Sequence, residues 1–226
     1  MWNAIGQKLP DALGIALSAM PIAGLLLMLT SAQAGQAKAL AYSLGWMFAL
    51  SGTVTLTTLA SQAVTHALGG SAVVWVGSLE ILLGVIQLFL GFITIRRRPK
   101  NPSEVEKPKW MQAVDRMSVS SAFLLGALMI VTNGKNLTLS IAAGASFVRA
   151  KLSYGQLAAA IAVFTLIGSI SILGPVLLTL VAPKRSASFL VVTREWLIAN
   201  NAIILTLVFW IVGAIILISG LRILGL

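Results

Sequence analysis

The chain has 226 residues, of which 58% are hydrophobic and 10% charged, and its mean hydropathy is +0.96. Soluble domains carry roughly 25% charged residues, so this composition excludes a water-facing surface of ordinary size, and length becomes a count of membrane spans. The lack of cysteine excludes disulfides, thiolate metal sites and Cys nucleophiles, and a single histidine, His66, excludes a His-based metal cluster.

A membrane helix needs about 20 mostly apolar residues to cross a core of about 30 Å. Six segments qualify, taken here in chain order. Residues 11–30 carry a charge only at Asp11 and hold Pro21 midway. Residues 39–60 have none. Residues 72–95 hold one charge, Glu80, with Gln87 seven residues on and therefore on the same helix face. Residues 117–148 hold only Lys135. As one helix that segment would reach roughly 48 Å, and Thr132-Asn133-Gly134-Lys135-Asn136 in its middle are weak helix formers. A break is predicted there. Residues 155–182 are uncharged, with Pro175 mid-span. Residues 197–221 are uncharged and follow Trp196, with Asn200 and Asn201 opening the span as candidate caps.

None of these runs alternates with period two, and helices satisfy every backbone group internally, as lipid demands. The fold class is all-α integral membrane. Small residues at 32–34 resemble a signal-peptidase site. However, the apolar stretch before them exceeds a signal peptide's core and its leading region is weakly charged, so the first segment reads as a retained span.

Seven of the sixteen Lys and Arg residues fall between Arg96 and Arg116, with Pro99, Pro102 and Pro108. This basic, proline-rich stretch reads as a cytoplasmic linker. With it inside, eleven basic residues face the cytoplasm and four (Lys8, Arg149, Lys151 and Arg222) face out, which places both termini outside. The same concentration explains the net charge of +10 as a topology signal rather than nucleic-acid binding. Three units result: residues 1–95, the linker 96–116, and residues 117–226. Three spans per half force opposite orientations, the arithmetic of an inverted repeat. Each half opens with a span interrupted in mid-membrane.

Lys135 is the sharpest functional signal. An intramembrane ammonium is costly and faces a cavity or a partner. With Asn133, Asn136 and amides freed by a helix break, it suits an anionic or polar head group; pairing with Glu80 is the structural alternative. Glu80 and Gln87 share a face that could serve proton coupling. Asp11 reads as interfacial, with a substrate role as the alternative. Pro21, Pro175, Asn200 and Asn201 complete the candidate substrate-binding set. Gly84, Gly91, Gly168 and Gly174 read as close helix contacts. No catalytic cluster or phosphate-cradling loop is present, so neither an enzyme nor a cofactor is expected.

The run from Leu9-Pro10-Asp11-Ala12-Leu13-Gly14 to Ser18, then Pro21-Ile22, resembles the opening of the GAP family of actinobacterial glycopeptidolipid- and sulfolipid-addressing proteins. Lys135-Asn136-Leu137 with Ala142-Ala143-Gly144-Ala145, Gly168-Ser169 through Pro175-Val176, and Glu195-Trp196-Leu197 with Asn200-Asn201 continue the likeness in order. The resemblance implies the LysE-type fold of two inverted three-helix halves, a homodimer, and export of polar lipids or glycolipids across the bacterial inner membrane. LysE-type exporters often carry proline after the asparagine where this chain has Gly134, which leans away from amino-acid export. An exporter of a small hydrophilic solute and an accessory subunit of a lipid-export complex are the alternatives.

Overall fold

The computed structural model describes residues 1–31, 34–68, 72–97, 114–150 and 152–225. Most of the linker, and part of the cleavage-like stretch at 32–34, lie outside the described residues. All regular structure among the described residues is helical. In chain order the helices are α1 (Trp2–Ala16), α2 (Ala19–Leu29), α3 (Gly35–Leu68), α4 (Ala72–Arg96), α5 (Val119–Val131), α6 (Gly134–Arg149), α7 (Tyr154–Gly168), α8 (Ile170–Val181) and α9 (Pro183–Leu224), with one 3-10 turn at Val114–Arg116.

Stretches within α3, α4 and α9 are long and apolar enough to cross a membrane: Gly35–Ala67, Val74–Arg96 and Ala199–Leu224. The other six helices form three bent pairs: α1 with α2 at 55°, α5 with α6 at 70°, and α7 with α8 at 66°. Counting each pair as one span raises the total to six by length and composition. Large apolar side chains cover the outside of the bundle, among them Phe48, Leu56, Phe89, Leu177 and Ile211, each at least 59% exposed. Soluble monomers rarely expose apolar patches beyond a few hundred Å², so this surface fits lipid. Trp2, Trp75 and Trp196 are exposed as well, consistent with interfacial rings.

The predicted break in the fourth segment is present, between Val131 and Gly134. The first segment breaks at Leu17-Ser18, ahead of Pro21, which sits in the first turn of α2. The reason is steric: a proline ring clashes with the carbonyl four residues back, here that of Leu17. The fifth segment breaks at Ser169, and Pro175 lies inside α8 instead of marking the kink. Two further differences concern helix ends. Helix α1 begins at Trp2, nine residues before the apolar run, so Asp11 lies within a helix and is buried at 1% exposure instead of standing at a solvent-facing helix start. Helix α9 starts at Pro183, directly after α8, because proline is well suited to the first turn and no breaker follows it. Asn200 and Asn201 therefore lie inside α9 and cap nothing; the Asn200 amide donates to the Trp196 carbonyl at 3.0 Å.

Packing depends on glycine. Along α4, Gly77, Gly84 and Gly91 recur every seven residues against α9, where Gly213 and Gly220 answer them. A β-carbon at Gly84 would stand 2.7 Å from the backbone nitrogen of Leu217, and one at Gly220 would stand 2.8 Å from the carbonyl oxygen of Gly77. Between α3 and α5 the approach is closer still: β-carbons at Gly45 and Gly126 would overlap the carbonyls of Phe123 and Tyr42. Gly168 packs near Leu50, whereas Gly174 faces open space and is not a contact glycine.

Gly126→Ala is expected to destabilise the bundle by about 1–3 kcal/mol, the range for overpacking a tight contact. Gly174→Ala is expected to be neutral or to stabilise by about 0.5–1 kcal/mol, because it restricts the chain without a clash. Thermal unfolding of both variants in the same detergent checks the contrast.

Candidate functional site

The breaks in the first and fourth segments meet in the middle of the bundle. Where α1 stops, its last carbonyls lose their helical donors. Side chains replace them one by one. The Lys135 ammonium donates to the Gly14 carbonyl and, at 3.2 Å, to that of Leu17. The Ser18 hydroxyl donates to Ile15 at 2.6 Å, and the Ser171 hydroxyl donates to Ala16 at 2.5 Å. The Leu17 carbonyl, which Pro21 prevents from joining the helix, thus receives a lysine.

Lys135 is 1% exposed. It belongs to the first turn of α6, where a positive charge is disfavoured by the helix dipole, but its ammonium reaches the negative end of α1, where a cation is favoured. Asn133 caps α6 by accepting from the Lys135 and Asn136 amides at 3.1 and 3.3 Å. The Asn136 amide oxygen lies 2.9 Å from the Ser18 hydroxyl, whose one proton it shares with the Ile15 carbonyl, and its amide nitrogen donates to the Met129 carbonyl at 3.3 Å, which ties α5, α6 and α1 together. Lys135 also sits 2.9 Å from the Ser18 oxygen. Gln87 reaches the Lys135 carbonyl from α4 at 3.5 Å, leaving its own amide oxygen buried without a partner among the described residues. The Pro21 carbonyl accepts from the buried Tyr42 hydroxyl at 3.0 Å.

A second polar cluster lies toward the end of the bundle where α1 begins and α6 ends. Glu80, fully buried, pairs with Arg149 at 2.6 Å and with Lys8 at 3.9 Å. Lys8 also pairs with Asp11 at 3.3 Å, one helical turn along α1. Glu80 therefore turns to Arg149 and Lys8, while Lys135 turns to backbone carbonyls. Glu80 and Gln87 do share a face, and both address α6.

The structure thus gathers Lys135, Asn133, Asn136 and Gln87 at the crossed breaks, with Pro21 adjoining, and Glu80 with Asp11 in the charge cluster. Pro175 lies beyond the third break. Asn200 and Asn201 lie about two to three turns along α9 from Val208 and Val212, residues that face Gly14. Sequence reasoning missed Ser18, Ser171, Lys8 and Arg149 as members of these clusters. The three-residue spacing of Lys8 and Asp11 within one helix was the available signal, obscured by counting Lys8 as a loop charge. Among the described residues no group of His, Asp and Glu could hold a metal ion.

An all-helical bundle with an apolar exterior, a buried ammonium and polar groups collected at helix breaks has the character of a multi-pass membrane protein. Residues 9–222 match the model of the family described as Sap, sulfolipid-1-addressing protein, and the chain belongs to that family. No curated protein and no solved structure gives a significant match.

Removing one partner of a buried ion pair costs about 3 kcal/mol, since the other charge is left uncompensated. Lys8 still faces Glu80 at 3.9 Å and Arg149 is 30% exposed, so Arg149→Met is expected to lower stability by less, about 1–2 kcal/mol, and adding Glu80→Gln to restore at least half of it. Unfolding of the two single variants and the double variant in detergent measures the coupling; additive losses would contradict the pairing.

Proposed function

We propose that this protein is a transporter that exports or flips polar lipids or glycolipids across the bacterial inner membrane. It acts as a homodimer and performs no chemistry on its substrate. The observation that carries the reading is the crossing of two broken helices around a buried lysine, since discontinuous helices whose ends meet near the midplane form the substrate sites of many transporters. The family description adds lipid addressing as the process.

In this reading the six spans form two inverted three-helix halves of the LysE type, with both termini outside. The helix contacts support it. The first span packs against the fifth, the fourth against the second, and the third against the sixth. Exchanging the halves maps each of these contacts onto another or onto itself, as a two-fold axis in the membrane plane requires. One asymmetry remains: the fifth span is bent, whereas its counterpart α3 is continuous.

The crossed breaks are closed in this conformation, because the freed groups satisfy one another. A polar head would pass by exchanging partners. Its oxygens would take the Lys135 ammonium from the Gly14 and Leu17 carbonyls, and Asn133 and Asn136 would hydrogen-bond its hydroxyls. The apolar tails would remain in lipid beside the bundle, so only the head needs a polar route.

Proteoliposomes loaded with fluorescent lipids bearing anionic or sugar heads test the reading. Wild-type protein is expected to move label between leaflets, and Lys135→Gln to slow the movement at least about tenfold, which corresponds to roughly 1.4 kcal/mol of barrier. Thermal unfolding of the same preparations separates a transport defect from a folding defect. No translocation by folded wild-type protein would contradict the proposal and favour efflux of a small hydrophilic solute or an accessory role.

A further inference from the structure

Two adjoining cavities open where α1 begins and where α6 and α9 end. The larger, about 540 Å³, has polar walls from Gln7, Lys8, Ser146, Arg149, Ser219 and Arg222, while Ile215, Ile218 and Ile223 of α9 form an apolar wall. The smaller, about 350 Å³, shares Gln7, Ser146 and Arg149 and adds Asn3. Both volumes fall in the range of small-molecule sites, roughly 300–1,000 Å³.

The charges around the larger cavity do not cancel. Lys8 and Arg149 are matched by Asp11 and Glu80. Arg222 is exposed and has no ion-pair partner among the described residues. The four other acidic side chains of the chain, Glu104, Glu106, Asp115 and Glu195, fall in or near the linker or toward the start of α9. Three cations against two carboxylates leave a net charge of +1. Arg149 keeps donors to offer: its bonds to Glu80 and Ser146 use only Nη2, whereas a guanidinium carries five N–H groups. Arginine forks match tetrahedral oxyanions in shape as well as charge. Ile215 and Ile218 are 38% and 47% exposed, so the apolar wall continues onto the outer surface of α9.

We propose that this cavity binds the singly charged oxyanion head of an amphiphile, a sulfate ester or phosphodiester on a polar lipid, with its tail along the isoleucine face of α9. The oxyanion lies between Arg149 and Arg222. Gln7, Ser146 and Ser219 hydrogen-bond sugar or glycerol hydroxyls next to it. Lys8 stays engaged with Asp11 and sets the positive potential from behind. The site rests on the lipid-transport reading and adds a station at the end of the route, about three turns along α4 from Gln87 and the crossed breaks.

Binding of a sulfated glycolipid, 3-sulfogalactosylceramide, to the purified protein in neutral detergent tests the proposal, with galactosylceramide and inorganic sulfate as comparison probes. Wild type is expected to bind the sulfated lipid about tenfold or more tightly than the unsulfated lipid or free sulfate. Arg222→Gln, which breaks no ion pair, is expected to weaken it about tenfold, and Arg149→Gln combined with Glu80→Gln to weaken it further. Arg97→Gln at the opposite end is expected to change nothing. Equal binding of sulfated and unsulfated lipid, wild-type binding by Arg222→Gln, or free sulfate binding as tightly as the lipid would each overturn the site. Selective binding that Arg222→Gln weakens, without any translocation in proteoliposomes, would uphold the site and remove the transport reading, so the two failures are distinguishable.

Discussion

The architecture depends on how one helix end is satisfied. Inside an apolar bundle there is little water to hydrogen-bond the carbonyls that α1 exposes when it stops at Ala16, and each buried unpaired group costs about 1–3 kcal/mol. The chain answers from three places. Ser18 bonds backward from the break into the last turn of α1, Ser171 reaches in from α8, and Lys135 inserts an ammonium from α6. An isolated lysine at such depth is unfavourable by about 3 kcal/mol. Two carbonyls and a hydroxyl at the negative end of a helix dipole offset that cost. The break and the lysine therefore require each other: without the break Lys135 has no acceptors, and without Lys135 the break has unpaired carbonyls.

This mutual dependence also fixes the neighbours. Asn136 cannot hold both Ser18 and Met129 unless α5, α6 and α1 converge. The convergence requires thin interfaces elsewhere, which the glycines supply. The seven-residue recurrence on α4 and α9 keeps one seam facing the partner along both helices, as a heptad repeat does, and so brings Gln87 and Glu80 against α6. Bulky apolar residues point outward on the other faces. Polar groups are thus concentrated in a column from the crossed breaks to the charge cluster, while the exterior stays suited to lipid.

Much of this was legible in the sequence. Apolar runs of about 20 or more residues with at most one charge announced the spans, and Asn133-Gly134 announced the fourth break, because those residues disfavour helix and cap one well. The break at Leu17-Ser18 was signalled only indirectly, through the clash Pro21 imposes four residues upstream. The break at Ser169 had weak local cues, and Pro175 drew attention away from it. The continuity of α9 was hidden because hydropathy marks where a helix meets lipid, not where it begins. The charge cluster was missed for a related reason. Counting Lys8 and Arg149 as loop charges suits topology but overlooks that both lie on helices and can turn inward to Glu80.

The account holds that the crossed breaks must separate for a head group to pass. The chain has no cysteine, so a single engineered pair can be placed without interference at Ser18 and Asn136, whose side chains meet at 2.9 Å. Lipid translocation by the Ser18→Cys, Asn136→Cys variant, measured oxidised and then reduced in the same vesicles, tests the claim. The reduced variant, lacking the Asn136 amide, is expected to move lipid more slowly than wild type; oxidation is expected to stop that residual movement and reduction to restore it. Equal translocation by a fully cross-linked and a reduced sample would show that the breaks stay together during transport and would contradict the account.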